Sequence, residues 1–176
     1  MDPHVTKIPG LERVRLLLMD VDGVLTDGRI YYGGDGIDIK AFHTQDGLGL
    51  RLLQTEGIRL GIVTGRSSEA VRRRAAELGI DIVHQGIRDK AALVLQLVEA
   101  TGIPAEEMAF VGDDLLDLPI MARVGVPLAV ANAVEEVKRA AAAVTRAPGG
   151  KGAVREIAEA ILKAQDRWER LVGTFR

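Results

Sequence analysis

Short apolar runs alternate along the chain with longer stretches in which apolar residues recur every three or four positions. This rhythm is the pattern of repeated strand-helix units wound around a parallel sheet. The runs at Val14–Met19, Arg59–Val63, Asp81–Val83, Met108–Val111, Leu128–Val130 and Ala143–Thr145 predict strands. Helical spacing predicts helices over about Gly47–Thr55, Ser67–Leu78, Lys90–Thr101, Leu115–Val124 and Val134–Ala141. In a last long helix, Val154, Ile157, Ala158, Ile161, Leu162, Trp168 and Leu171 share one face. One stretch breaks the rhythm. Between Thr26 and His43 a short apolar segment, the turn-forming Gly33–Gly36 and a strictly alternating segment predict a β-hairpin. The fold class is therefore α/β, a doubly wound parallel sheet with an inserted hairpin. No repeat or linker divides residues 1–176, which read as a single domain.

Composition narrows this picture. The 176 residues are 47% hydrophobic and 27% charged, the balance of a globular chain. Six aromatics leave a core of Ala, Val, Leu and Ile, which suits a sheet covered on both faces. A formal charge of -2 provides no overall basic field for nucleic acid or an anionic membrane. The absence of Cys excludes disulfides, thiolate metal sites and a cysteine nucleophile. With neither a secretory signal pattern at the N-terminus nor an apolar run of membrane-spanning length, the expected location is the cytoplasm.

The candidate chemistry lies just beyond the strand ends, where loops of an open parallel sheet converge on one crevice. The first strand runs into Asp20-Val21-Asp22-Gly23, and another ends in Val63-Thr64-Gly65-Arg66. Lys90 opens a helix, and a later strand ends in Gly112-Asp113-Asp114 with Asp117 nearby. Any one of these alone is commonly a turn or a helix cap. Together they are the set that phosphoryl transfer through a carboxylate requires. One Asp attacks phosphorus, and Mg²⁺ on oxygen ligands such as Asp20 and Asp113 neutralises the two anions. Thr64 and Lys90 would hold the phosphoryl oxygens. Asp22 is the candidate for protonating the leaving alcohol and then activating water.

This order of motifs resembles the haloacid dehalogenase superfamily over about Leu16 to Asp117. The resemblance implies Asp20 as nucleophile, Asp22 as general acid/base with its main-chain carbonyl on the metal, and Thr64 and Lys90 as phosphate binders. It also implies Asp113 as a metal ligand, with Asp114 and Asp117 supporting it. A receiver domain of a signalling relay uses a similar residue set, but its phosphoacceptor stands alone after a middle strand. A non-catalytic relative used for assembly would lack motif residues, and none is missing.

About 40 residues separate Asp22 from Thr64 and about 25 separate Thr64 from Lys90, too few for a cap domain in either gap. Patterning leaves the hairpin either folded on its own sheet or paired with copies from other subunits. A closer resemblance bears on this choice. DVDGVLTDG, AFHTQDGLG, VTGR, GDDLLDLP and GGKGAVRE together look like the 3-deoxy-D-manno-octulosonate 8-phosphate phosphatases over about Arg13 to Gln165. That resemblance implies a homotetramer whose hairpins form a shared barrel, with neighbouring subunits closing each site. The implied substrate is the eight-carbon sugar-acid phosphate of lipopolysaccharide precursor synthesis.

The implied substrate contacts are His43, Thr44, Gln45, Asp46, Gly47 and Arg51, besides Asp22 and Lys90. Arg66 and Arg74 would meet the sugar's carboxylate or phosphate, and Lys151 would reach a neighbour's site. On the residues alone, His43 is equally a hairpin-end residue, Arg74 a solvated helix residue and Gly149–Gly152 a flexible entry to the last helix. Gln45 and Thr44 depart from the residues common among relatives. The nonulosonate 9-phosphate phosphatases carry a glutamate where this chain has Arg66, which favours the octulosonate.

Overall fold

The computed structural model describes residues 8–34 and 38–175. Six parallel strands form the central sheet: β1 (Leu16–Met19), β4 (Arg59–Val63), β5 (Ile82–His84), β6 (Met108–Gly112), β7 (Val126–Ala129) and β8 (Ala143–Val144). Their order across the sheet is β5-β4-β1-β6-β7-β8. Winding proceeds outward from β1 through β4 to β5, then returns to the other side of β1 and runs outward again. The reversal leaves a crevice at the carboxyl ends of β1, β4 and β6. Leu16, Leu17, Leu18 and Met19 are all fully buried. Because successive strand residues face opposite ways, both sheet faces are covered.

The connecting helices are α1 (Thr44–Thr55), α2 (Glu69–Leu78), α3 (Lys90–Thr101), α4 (Leu118–Met121), α5 (Glu135–Ala140), α6 (Ala153–Ala164) and α7 (Trp168–Gly173). Helix α1 begins at Thr44, three residues earlier than the spacing predicts. Its two glycines weaken helix propensity, yet tertiary packing requires them. A Cβ on Gly49 would lie 3.1 Å from the Ala158 Cβ of α6, and one on Gly47 would lie 2.3 Å from the Arg74 guanidinium.

Three further expectations are corrected. The predicted last helix is two helices, broken after Ala164 where Asp166 takes the left-handed region at φ 56°. The Gln165 side chain donates to the carbonyls of Leu11 and Val14, and after the break Trp168 and Leu171 still return towards the core. The predicted helix over Leu115–Val124 is a 3-10 turn (Leu115–Asp117) followed by the single turn α4. The hairpin's ladder is confined to β2 (Tyr31–Tyr32) and β3 (Asp38–Ile39), antiparallel and separate from the main sheet. Residues 35–37, which include part of the predicted turn, lie outside the described residues.

The segment between Asp22 and Thr64 holds the hairpin, α1 and β4, and that between Thr64 and Lys90 holds α2 and β5. No helix among the described residues is long and apolar enough to cross a membrane.

Candidate active site

Asp20 leaves β1 with its N–H on the Val111 carbonyl of β6, so the first turn of the loop stays in register with the sheet. The N–H groups of Val24, Leu25 and Thr26 converge on the Val21 carbonyl and fold the loop tightly. Thr64 is buried at the end of β4, its N–H on the His84 carbonyl. Across the crevice, Asp89 caps α3 by accepting from the Ala91 and Ala92 N–H groups, and Lys90 is the first helical residue.

A lysine at a helix N-terminus opposes the helix dipole. Its carboxylate partners resolve the conflict: the buried Lys90 Nζ donates to Asp20 Oδ1 at 2.8 Å and to Asp117 Oδ1 at 2.7 Å. Burial pulls the ammonium's pKa down, but the two carboxylates outweigh it and hold it above the ordinary lysine range.

Asp20, Asp113 and Asp117 bring carboxylate oxygens within 4.8 Å of one another. Asp117 is committed within the protein, since its Oδ2 accepts the N–H groups of Asp113 (2.9 Å) and Asp114 (3.3 Å). Asp114 is exposed and caps the following turn through the Leu115 N–H. Asp113 packs against Gly23, where φ is 94° and a Cβ would fall 2.0 Å from Asp113 Oδ2. Only glycine suits that backbone and that approach.

Three carboxylates face one ammonium, and burial together with the excess negative charge registers in the acidity of Asp20 and Asp113. Burial, with Lys90 opposing and Asp117 reinforcing, raises Asp20 to about 6. Burial and the neighbouring Asp20, Asp117 and Asp114 raise Asp113 to about 7. Hard oxygen donors carrying surplus charge in a partly dry crevice fit a divalent cation.

The Asp22 carboxylate turns to other partners. Its Oδ1 lies 2.5 Å from Lys40 Nζ, and its Oδ2 lies 3.8 Å from Arg66 Nε. Sequence reasoning did not single out Lys40, although its side chain is only 1% exposed. The hairpin's alternation contained the signal. Asp38 and Lys40 share one strand face, which turns inward, while Ile39 on the opposite face is exposed. Lys40 and Arg66 also line a cavity of about 720 Å³ between the hairpin and the start of α2, within the range of small-molecule sites.

The remaining predicted substrate contacts separate into distinct environments. Thr44 and Gln45 are exposed at the start of α1. Asp46 is buried and accepts the N–H groups of Arg155 (2.7 Å) and Gly152 (3.4 Å), capping α6. Burial raises its pKa, with those N–H groups opposing. His43 Nδ1 stands 3.9 Å from Asp46 Oδ2 and has no hydrogen-bond partner among the described residues. Arg74 closes over Gly47 and the Phe42 ring, so the structure unites it with the His43–Gly47 segment. Arg51 does not join them. Its guanidinium donates to the Glu77 carbonyl at the end of α2, which makes it a contact between helices.

Asn132 is a second residue that sequence reasoning missed. It donates to the Gly23 carbonyl at 3.0 Å and accepts the Gly149 N–H at 2.6 Å. Gly149–Gly152, read as either a flexible entry or an arm, is docked on the chain's own first loop: a Cβ on Gly149 would fall 1.7 Å from the Gly23 oxygen. Lys151 is exposed.

The family model for haloacid dehalogenase-like hydrolases matches residues 78–157. The 3-deoxy-D-manno-octulosonate 8-phosphate phosphatase of Escherichia coli K12 is 44% identical over 162 residues, covering 92% of this chain and 86% of that protein. The chain belongs to this phosphatase family of haloacid dehalogenase-like hydrolases. Two solved structures of family members superpose closely. That from Yersinia pestis has a TM-score of 0.90 at 44% identity, covering 92% of this chain and 88% of that one. That from Moraxella catarrhalis, in complex with magnesium ion, phosphate ion and KDO, has a TM-score of 0.94 at 41% identity over 100% of both chains.

Proposed function

We propose that this chain is a Mg²⁺-dependent phosphatase that hydrolyses 3-deoxy-D-manno-octulosonate 8-phosphate through an aspartyl-phosphate. The observation that carries the reading is the buried Asp20–Lys90 pair beside the Asp113 carboxylate, in a family whose Moraxella member is solved with magnesium, phosphate and KDO. Asp20 Oδ attacks phosphorus, and the bond to the sugar oxygen breaks as Asp22 gives that oxygen a proton. Asp22 then takes a proton from the water that attacks the aspartyl-phosphate, which releases inorganic phosphate and restores Asp20. Thr64 and Lys90 hold the phosphoryl oxygens throughout. Asp20, Asp113 and the Asp22 main-chain carbonyl would hold Mg²⁺, with Asp114 and Asp117 supporting them. When bound, the cation supplies the positive charge that lets a carboxylate meet a phosphate dianion.

Arg66 and Arg74 fit a substrate that carries a carboxylate besides its phosphate. With no cap domain in either gap, the crevice needs another cover. The exposed Ile30, Tyr31, Tyr32 and Ile39 of the hairpin suit pairing with further copies, and we propose a cytoplasmic homotetramer. The substrate is tested by comparing kcat/KM for the eight-carbon and nine-carbon keto-deoxy sugar-acid phosphates. Preference for the eight-carbon ester is expected, and faster turnover of the nine-carbon ester would overturn the assignment.

Metal binding carries its own pH signature. Asp20 and Asp113 have raised folded-state values, about 6 and about 7 against an ordinary 3.8. Without metal, their contribution to stability is complete below about 4 and is lost as pH rises through 6 and 7. A cation that binds the ionised cluster recovers that loss. Saturating Mg²⁺ should therefore raise Tm more at pH 8 than at pH 5, by differential scanning calorimetry. Equal shifts at both pH values would show that these carboxylates are not the ligands.

A further inference from the structure

Among the described residues, Lys40 is the one buried cation of the crevice that the proposed chemistry leaves without a task. Its ammonium arises just after β3, in a hairpin that is otherwise exposed on its apolar side. Burying an ammonium is costly in desolvation, and an ion pair so placed is poor evidence of stabilisation, because an apolar residue of the same size often serves as well. The contacts describe a clamp on one side chain. Lys40 takes Asp22 Oδ1 at 2.5 Å, and Arg66, from the loop after β4, approaches Oδ2 at 3.8 Å.

Lys40 is itself held in place. Asp38 Oδ2 lies 3.7 Å from its Nζ, and Asp38 Oδ1 accepts from the Ser68 hydroxyl at 3.1 Å. Ser68 caps α2 and donates its own N–H to Gln85. A continuous series of contacts thus runs from the segment after β5, through the start of α2 and the base of the hairpin, to the Asp22 carboxylate.

We infer that Lys40 is a positioning residue for the general acid/base, holding the Asp22 carboxyl where it meets the leaving oxygen. The inference rests on the proposed role of Asp22. It makes the hairpin part of the chemistry as well as a surface for covering the site. It also predicts which substrates suffer when Lys40 is lost. Protonation matters when the leaving group is an alkoxide and little when it is a nitrophenolate, so a positioning defect falls on alkyl esters. A general structural defect falls on both.

The test uses the full-length enzyme at saturating Mg²⁺, with kcat/KM measured for the sugar-acid phosphate and for p-nitrophenyl phosphate. This parameter reports the steps through formation of the aspartyl-phosphate. Lys40→Met should lose about 10²-fold on the alkyl ester, in the range of acid/base contributions, and at least about 30-fold more there than on the aryl ester. Lys40→Gln, an uncharged variant nearer in polarity, should show the same split and provides the reading if the methionine variant does not fold. Lys40→Arg should restore most of the alkyl activity.

Asp22→Asn, run alongside, separates the two claims. If it lacks the split, the general acid/base role falls and the inference falls with it. If Asp22→Asn shows the split while both uncharged Lys40 variants lose equally on the two esters or lose nothing, Lys40 is structural and the inference alone is overturned.

Discussion

Asp20→Asn should lower Mg²⁺-dependent turnover by at least about 10⁴-fold, the scale on which removing a nucleophile acts, while the chain still unfolds cooperatively. The amide cannot form the phosphoryl bond, and no other carboxylate can take its place. Asp117 is bound to Lys90 and two N–H groups, Asp113 stands against Gly23, and Asp22 faces Lys40. The same substitution removes one negative charge from a crowded cluster. After burial, Asp20 is the largest contributor to the raised pKa of Asp113, so in the variant that carboxyl should ionise more readily. Metal-free stability at pH 8 should therefore be kept or raised even as activity disappears. Steady-state phosphate release and calorimetry on the same preparation measure both effects. Substantial residual Mg²⁺-dependent hydrolysis would remove Asp20 from the nucleophile's role.

How much of this was legible in the sequence depended on whether a residue's partners were local. Asp20, Thr64, Lys90 and Asp113 could be found because each stands at a strand end or a helix start, and the order of the strands brings those points together. In the structure Lys90 bonds to Asp20, Asp20 and Asp113 bring oxygens within 4.8 Å, and Thr64 follows the strand that pairs with β1. Asp46 was named for substrate contact, and both its oxygens cap a helix more than a hundred residues away, a pairing that no local spacing encodes. Arg51 was carried in by resemblance and lies against α2. Lys40 escaped notice because alternation tells which residues share a strand face but not which face turns inward. In this hairpin the polar face is the inner one. The break at Asp166 was hidden for a related reason. Trp168 and Leu171 keep the spacing of the preceding apolar face, so periodicity continues across a change of direction. Strand β7 begins at Val126, two residues before its predicted start, and includes Pro127, a residue that propensity disfavours in a central strand.

Lys90→Met tests the opposite end of the same ion pair and should move stability the other way. Methionine fills much of the lysine's volume, and its thioether can pack against the buried Phe110 ring that the ammonium faces. The charge does not. Asp20 and Asp117 are then left buried without their common ammonium, and breaking a buried pair from one side costs about 3–5 kcal/mol. The loss should be largest at pH 8 without metal. It should shrink towards pH 5, where carboxyls already raised by burial take up protons and the uncompensated charge fades. Lys90 itself, held above the ordinary lysine range, stays charged across that interval in the parent chain and contributes no slope of its own. Turnover should fall by about 10³-fold, the upper end of what one donor to a developing oxyanion provides. Saturating Mg²⁺ should restore part of the stability and little of the activity, because a cation can answer the carboxylates but cannot donate the lysine's hydrogen bonds to phosphoryl oxygens. A Lys90→Met chain as stable as its parent at pH 8 without metal would mean that the acid cluster is balanced by some other charge. The electrostatic account of both variants would then fail together.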